Sequence, residues 1–107
     1  MAGRHCLHNL TVVVDRNGIQ GSDFTRNVLP IDALIPAAQC AGWMINTVDG
    51  HDAWELEMAL SSIQTLPHLI IADTIKGKGV SYMENAPKWH ATWPDVDHVK
   101  QALEELQ

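Results

Sequence analysis

The chain has 107 residues, 46% of them hydrophobic, which suits one small domain with a modest core and excludes wholesale disorder. Thirteen acidic against seven basic residues give a net charge of −6, which argues against nucleic acid as a main partner. The sequence has no apolar run as long as a membrane span and no secretory pattern. We therefore expect a cytoplasmic protein of one domain, residues 1–107, with Cys6 and Cys40 as buried free thiols.

The first strand and the loop after it form the first candidate site. Residues 1–9 are predicted to be the last turns of a helix, and the β-branched run Thr11–Val14 is typical of a central, covered strand. The strand ends before Gly18, which is free to take a positive φ. Ligands bind beyond the carboxyl ends of strands in open α/β sheets, and Asn17 offers there a neutral oxygen that suits Mg²⁺ or Ca²⁺. A plain turn without a ligand is the alternative.

Alternating helices and strands are predicted for the next part of the chain. Residues 20–27 are polar and predict an irregular surface segment. The apolar pattern between Pro30 and Ala41 predicts a short helix that ends at Gly42. Residues 43–48 predict a second strand. Asp52 has the spacing of a helix cap, and the helix after it is expected to bury Ala53, Leu56, Leu60 and Ile63.

The last part of the chain completes the predicted fold. A third strand is predicted over His68–Thr74, and a final helix over Val96–Leu106 is capped by Asp95. Its inward positions are expected to be Val96, Val99, Leu103 and Leu106. Between them, the glycine-rich Ile75–Val80 predicts either a flexible loop or an approach for an anion, and residues 81–93 predict irregular structure. The order of elements predicts an α/β fold with a partial parallel sheet and flanking helices.

Four ordered motifs resemble the transketolase family. They are Asn9–Gln20 (NLTVVVDRNGIQ), Ala41-Gly42-Trp43, Asp49-Gly50-His51-Asp52, and Thr74–Asn85 (TIKGKGVSYMEN) followed by Trp89-His90. The resemblance extends to about Leu106 and is nearest to the separately encoded amino-terminal subunits of transketolase. It implies a thiamine-diphosphate-binding fold, incomplete at its amino terminus, in an enzyme that transfers a two-carbon ketol unit between sugar phosphates.

The resemblance also implies a cofactor and the residues that hold it. The family binds thiamine diphosphate through a divalent metal, usually Mg²⁺, so Asn17 is implied as a side-chain ligand and Ile19 as a carbonyl ligand of that metal. His90 matches the family histidine near the diphosphate and the substrate, where an imidazole donates to phosphate or exchanges a proton. His90 is thus the implied catalytic and cofactor-binding residue. The resemblance places the loop Lys76–Val80 around the site without a catalytic role.

The sequence departs from the family pattern at three points. Gly21 stands where many relatives carry an apolar residue, Ala91 replaces a glycine, and no Gly-Asp-Gly precedes Asn17. We therefore expect the carboxyl-terminal portion of a diphosphate-binding domain, inactive alone and completed by a pyrimidine-binding (carboxyl-terminal) transketolase subunit or domain in a homo- or hetero-oligomer. Two alternatives stay open. One is a truncated, catalytically silent module for protein association, and the other is a related enzyme such as a deoxyxylulose phosphate synthase.

Overall fold

The computed structural model describes residues 1–107 and has an α/β architecture. In chain order its elements are β1 (Thr11–Arg16), β2 (Ile19–Gln20), β3 (Asp23–Phe24), α1 (Thr25–Val28), α2 (Leu34–Cys40), β4 (Met44–Asp49), α3 (Ala53–Ser61), β5 (His68–Asp73), a 3₁₀ helix (Pro87–His90) and α4 (Val96–Glu105). They fall into two compact units. Residues 1–16 and 31–74 form the first, and residues 17–30 and 75–107 form the second. The expectation of a single domain over residues 1–107 stays a prediction.

The first unit is built on a three-stranded parallel sheet in the order β1-β5-β4. The central strand, β5, is buried on both faces, and its alternate residues serve two small cores. Leu69 and Ile71 pack with Ala38 of α2, whereas Ile70 and Ala72 pack with side chains of β4 and α3. The predicted parallel sheet with flanking helices is confirmed.

The strand β1 does not occupy the central position predicted for it. It pairs with β5 on one side only, and Val12 and Val13 are 37% and 50% exposed. Its β-branched run is therefore an edge strand of this sheet, and the covered centre is β5. A run of β-branched residues indicates a strand, but it does not reveal how many neighbours that strand has.

Helix α2 ends and helix α3 begins as predicted, but α3 buries only part of its expected face. Gly42 follows α2 with φ +81°, and the Asp52 carboxylate accepts hydrogen bonds from two amides of the first turn of α3. The expected buried face of α3 is confirmed only at Leu56, which is partly buried against the core, whereas Ala59, which was not predicted, is the buried residue of this helix. Leu60 is 56% exposed, and Ile63, at 98%, lies beyond the last helical residue.

A buried histidine begins the central strand. His68 is 1% exposed, and its Nε2 lies 2.8 Å from the Asn46 Oδ1 atom on β4. Burial lowers the pKa of His68 below the usual value, because the charged imidazolium loses its hydration. The residue was predicted only as the start of a strand.

The second unit contains more regular structure than the sequence predicted. Residues 20–27, expected to be irregular, include the hairpin formed by β2 and β3 and the single-turn helix α1. The final helix, α4, is capped by Asp95 as predicted. Its four expected inward residues are exposed instead, at 83% for Val96, 43% for Val99, 60% for Leu103 and 63% for Leu106.

Two expectations for the first unit are also wrong. Residues 1–9 form turns rather than the end of a helix, because the hydrogen bonds there span two to five residues without the regular helical pattern. Cys6 and Cys40 are free, as predicted, but both are exposed.

In the whole chain, no helix combines the length and the apolar character needed to span a membrane.

Candidate cofactor site

The carboxyl edge of the sheet carries a bidentate ion pair. Arg16, Asp73 and Asp49 stand side by side in the strand register at the ends of β1, β5 and β4. The Arg16 guanidinium donates to both carboxylate oxygens of Asp73, with Nε–Oδ1 and Nη2–Oδ2 distances of 2.5 and 2.8 Å. This pairing lowers the pKa of Asp73 and raises that of Arg16. The arginine also reaches Asp32, at 3.3 Å.

A second set of contacts closes the same edge of the first unit. The Thr74 hydroxyl donates to the Asp15 carboxylate, and the Gly50 amide donates to the Asp73 carbonyl at 2.7 Å. Any side chain at Gly50 would collide with the Thr74 methyl group. The Asp-Gly-His-Asp motif therefore has a structural role here, since its glycine lets the chain pass close to β5.

In the second unit, Asn17 and Ile19 form a tight turn. The Asn17 Oδ1 atom accepts a hydrogen bond from the Ile19 amide at 2.9 Å, and Gly18 between them has φ +74°. The Gly18 carbonyl accepts from the amide of Thr25 at 2.9 Å, which ties the turn to the start of α1. Ile19 is buried. The structure thus places the Asn17 side chain against the Ile19 amide, and the role of the two residues as metal ligands stays a prediction.

His90 lies in the same unit but on another element. It ends the 3₁₀ helix Pro87–His90, its side chain is exposed, and strand β3 of the hairpin contacts this helix. The exposed imidazole is available to a ligand, and it belongs to the compact unit that contains Asn17 and Ile19.

The glycine-rich loop is a compact series of turns rather than a flexible segment. The Asn85 amide donates to the Lys76 carbonyl at 3.0 Å and closes the loop. At Gly77, which has φ +76°, an added Cβ atom would lie 2.7 Å from the Met83 carbonyl oxygen. The Gly79 amide donates to the Glu84 carboxylate at 3.0 Å. One of the amides considered for an external anion is therefore satisfied by a carboxylate of the protein itself.

Three aromatic rings pack against one another beside the 3₁₀ helix, and we call them the aromatic cluster: Tyr82, Trp89 and His98. Their centroids are 4.7 to 5.1 Å apart, and all three pairs are edge-to-face. The Tyr82 hydroxyl donates to the His98 carbonyl at 2.9 Å. Asp95 accepts from both the amide and the Nδ1 atom of His98, which lowers the pKa of this carboxyl. This cluster was not predicted, because its members lie in segments expected to be irregular or on a helix face that was not expected to be buried.

The two oxygen ligands implied at the Asn17 turn, the Asn17 side-chain oxygen and the Ile19 carbonyl oxygen, suit part of a site for a hard cation. An amide oxygen has two lone pairs, so accepting from the Ile19 amide does not prevent Asn17 Oδ1 from binding a cation. No group of three or more His, Cys, Asp or Glu side chains in the chain is placed to hold a metal ion. Two neutral oxygens, the Asn17 side chain and the Ile19 carbonyl, would need further ligands to complete the octahedron that Mg²⁺ favours.

Comparison with known proteins finds transketolases among the relatives of this chain. The chain is 37% identical over 108 residues to a subunit of the apulose-4-phosphate transketolase of Actinobacillus succinogenes, covering 99% of this chain and 39% of that protein. It is 30% identical over 105 residues to rat transketolase, covering 98% of this chain and 17% of the relative. The chain is homologous to transketolases. No family model matches the sequence.

The solved structure of a transketolase supports the same relationship. The Campylobacter jejuni enzyme superimposes with a TM-score of 0.87 at 28% identity, over 98% of this chain and 17% of that one. The transketolase resemblance and the α/β fold are thereby confirmed. The chain spans about two fifths of the apulose-4-phosphate transketolase subunits that it matches, at 39% for two of them.

Proposed function

We propose that this chain contributes the asparagine and carbonyl ligands of a metal–diphosphate site in a thiamine-diphosphate-dependent transketolase. The observation that supports the proposal is the Asn17-Gly18-Ile19 turn, in which the Asn17 Oδ1 atom accepts from the Ile19 amide, in a chain homologous to transketolases. Mg²⁺ or Ca²⁺ would be held by the Asn17 side chain and the Ile19 carbonyl, together with ligands that this chain does not supply. The bound cofactor would supply the nucleophilic carbon that carries the ketol unit.

The chain's own residues would bind and orient the diphosphate end of the cofactor. The positive φ of Gly18 keeps the Asn17 side chain folded over the turn, so that its oxygen needs little reordering to meet a cation. His90, exposed on its helix, would donate a hydrogen bond to a phosphate oxygen or exchange a proton with the substrate. A catalytic role for His90 thus remains part of the proposal.

The relatives suggest how the site is completed. Two of them are named as one subunit of an apulose-4-phosphate transketolase, which implies a second kind of subunit in those enzymes. We propose that this chain acts with a pyrimidine-binding transketolase subunit or domain, within a homo- or hetero-oligomer, on sugar phosphates. The isolated chain would then be inactive in ketol transfer.

Titration of the full chain with thiamine diphosphate, followed by amide NMR with and without Mg²⁺, tests the ligand assignment. We expect Mg²⁺-dependent shifts at Asn17, Ile19 and His90. Asn17→Ala should weaken this binding about tenfold or more, as for the loss of an interaction with a charged group. Asn17→Asp, which keeps an acceptor for the Ile19 amide, should retain it. Equal affinity in Asn17→Ala and the wild type would overturn the assignment.

A second candidate function is protein association without chemistry. The open edge of β1 favours it, because Val12 and Val13 are exposed on a strand that has one neighbour. The same titration separates the two functions. Mg²⁺-dependent shifts at Asn17, Ile19 and His90 in the isolated chain would contradict a module that acts in association without chemistry.

A further inference from the structure

We propose that Tyr82 and His98 are positioning residues for His90 and act on it through Trp89. This inference rests on the proposed function, in which His90 meets the diphosphate or the substrate. It goes beyond that function by naming the residues that keep the exposed His90 side chain, on a four-residue 3₁₀ helix, in one orientation.

The 3₁₀ helix has few constraints of its own. It has no side-chain cap, and such short helices have poorer hydrogen-bond geometry than α-helices. The Trp89 amide donates to the Ala86 carbonyl at 3.1 Å, but its indole Nε1 is buried and has no hydrogen-bond partner. The indole is therefore held by ring packing rather than by a polar contact.

The aromatic cluster supplies that packing from two directions. The Tyr82 centroid lies 5.0 Å and the His98 centroid 5.1 Å from that of Trp89, both edge-to-face. The Lys88 ammonium lies 5.0 Å from the same ring. His98 is itself fixed to the first turn of α4, because its Nδ1 atom lies 2.7 Å from the Asp95 carboxylate. The indole is thus connected through His98 to the start of a ten-residue helix.

The consequence for His90 follows from helix geometry. Successive residues of a 3₁₀ helix are about 120° apart around its axis, since each turn takes about three residues. When the Trp89 ring is fixed in the cluster, the next side chain must point away from it. The exposed position of His90 agrees with this direction. Loss of the ring contacts would free both side chains without touching Asn17.

The full chain and its variants test the proposal by hydrogen exchange and by NMR of the His90 ring. In His98→Ala, the Trp89 amide should exchange about 2- to 12-fold faster, the range expected for one aromatic pair. The chemical shifts of the His90 ring should move toward the values of a mobile histidine. Tyr82→Phe keeps its ring and should give the wild-type values. His98→Phe keeps the ring but loses the Nδ1 contact with Asp95, so its values should lie between those of the wild type and His98→Ala. Lys100→Ala, an exposed change on α4, is the matched control and should alter neither readout.

Cofactor titration adds a measurement that distinguishes the positioning of His90 from a purely structural role of the aromatic cluster. In His98→Ala, the shift at His90 induced by thiamine diphosphate and Mg²⁺ should be lost, while the shift at Asn17 is kept. Unchanged Trp89 exchange and an unchanged His90 shift in His98→Ala would overturn the positioning role and leave the proposed function intact. Conversely, if the wild type shows no cofactor shifts but His98→Ala still frees His90, the positioning role stands while the proposed function gains no support.

A variant that unfolds the whole chain would be recognised by faster exchange at Ile70 in the central strand. In that case Tyr82→Leu, which removes a different ring of the cluster, provides the comparison with Tyr82→Phe. Faster exchange at Trp89 in Tyr82→Leu but not in Tyr82→Phe supports the proposal. Equal protection in the two variants contradicts it.

Discussion

Arg16 and Asp73 face each other at the carboxyl ends of neighbouring parallel strands, and the guanidinium binds both oxygens of the carboxylate. The pair joins β1 to β5 at the residue before Asn17. A fork-to-fork contact of this kind fixes the relative position of two strand ends more strictly than a single hydrogen bond. It defines where β1 ends and where the chain enters the Asn17 turn.

Removal of this pair should reduce stability modestly. Arg16→Ala is expected to lower the free energy of unfolding by about 0.5–1 kcal/mol, a small value because Asp73 remains partly exposed and solvent screens the pair. Arg16→Lys should recover only part of this loss, since lysine lacks the bidentate fork. Urea unfolding measures the effect. Asp32→Asn, which removes a longer and more exposed contact, serves as the control and should be near neutral.

His68 should make the protein less stable in mild acid. Its pKa in the folded chain is below the ordinary 6.5, so the unfolded chain binds the proton first as the pH falls. Stability should therefore be constant above about pH 6.5 with respect to this group and decrease below it, until the folded-state pKa is passed. Urea midpoints compared at about pH 7.5 and about pH 5.5 should show the loss.

Replacement of His68 provides the control for that pH effect. His68→Leu should flatten the decrease between the two pH values, because the titrating group is gone. His5→Leu, a change at an exposed histidine, should leave the decrease in place. The same slope in all three proteins would contradict the assignment to His68.

Gly77 should tolerate alanine less well than Gly21. Both have positive φ, at +76° and +63°, so both substitutions carry the backbone cost of about 1 kcal/mol. At Gly77 the new Cβ would also lie 2.7 Å from Met83 atoms, whereas nothing lies within 4 Å at Gly21. We expect Gly77→Ala to cost about 1–3 kcal/mol more than Gly21→Ala in thermal or urea unfolding. Equal losses of unfolding free energy in the two variants would show that the loop around Met83 shifts to accommodate the added methyl group.

The Asp52 cap should contribute measurably to α3. Its carboxylate accepts from the Trp54 amide at 2.8 Å and the Glu55 amide at 3.1 Å. Asp52→Ala is expected to lower the free energy of unfolding by about 1 kcal/mol, whereas Asp52→Asn keeps the acceptor and should be nearly neutral. Thermal unfolding by circular dichroism tests the pair. An effect of Asn as large as that of Ala would point to charge rather than to the cap hydrogen bond.

Local sequence signals were sufficient to predict the strands, the caps and the turn. The β-branched and apolar runs predicted three parallel strands, and the short polar side chains of Asp52 and Asp95 predicted two helix starts, because these signals act over a few residues. Gly18 and Gly42 likewise marked two of the turns where the backbone takes a positive φ. Local chemistry is sufficient for such features.

The packing of distant segments sets which surfaces are covered and which side chains meet. It put β1 at an edge, left the apolar stripe of α4 exposed, and paired Arg16 with Asp73, 57 residues away. The aromatic cluster likewise joins residues from the loop, the 3₁₀ helix and α4. Burial and long-range contacts depend on how distant segments pack, and one residue's type and spacing do not specify its neighbours in space.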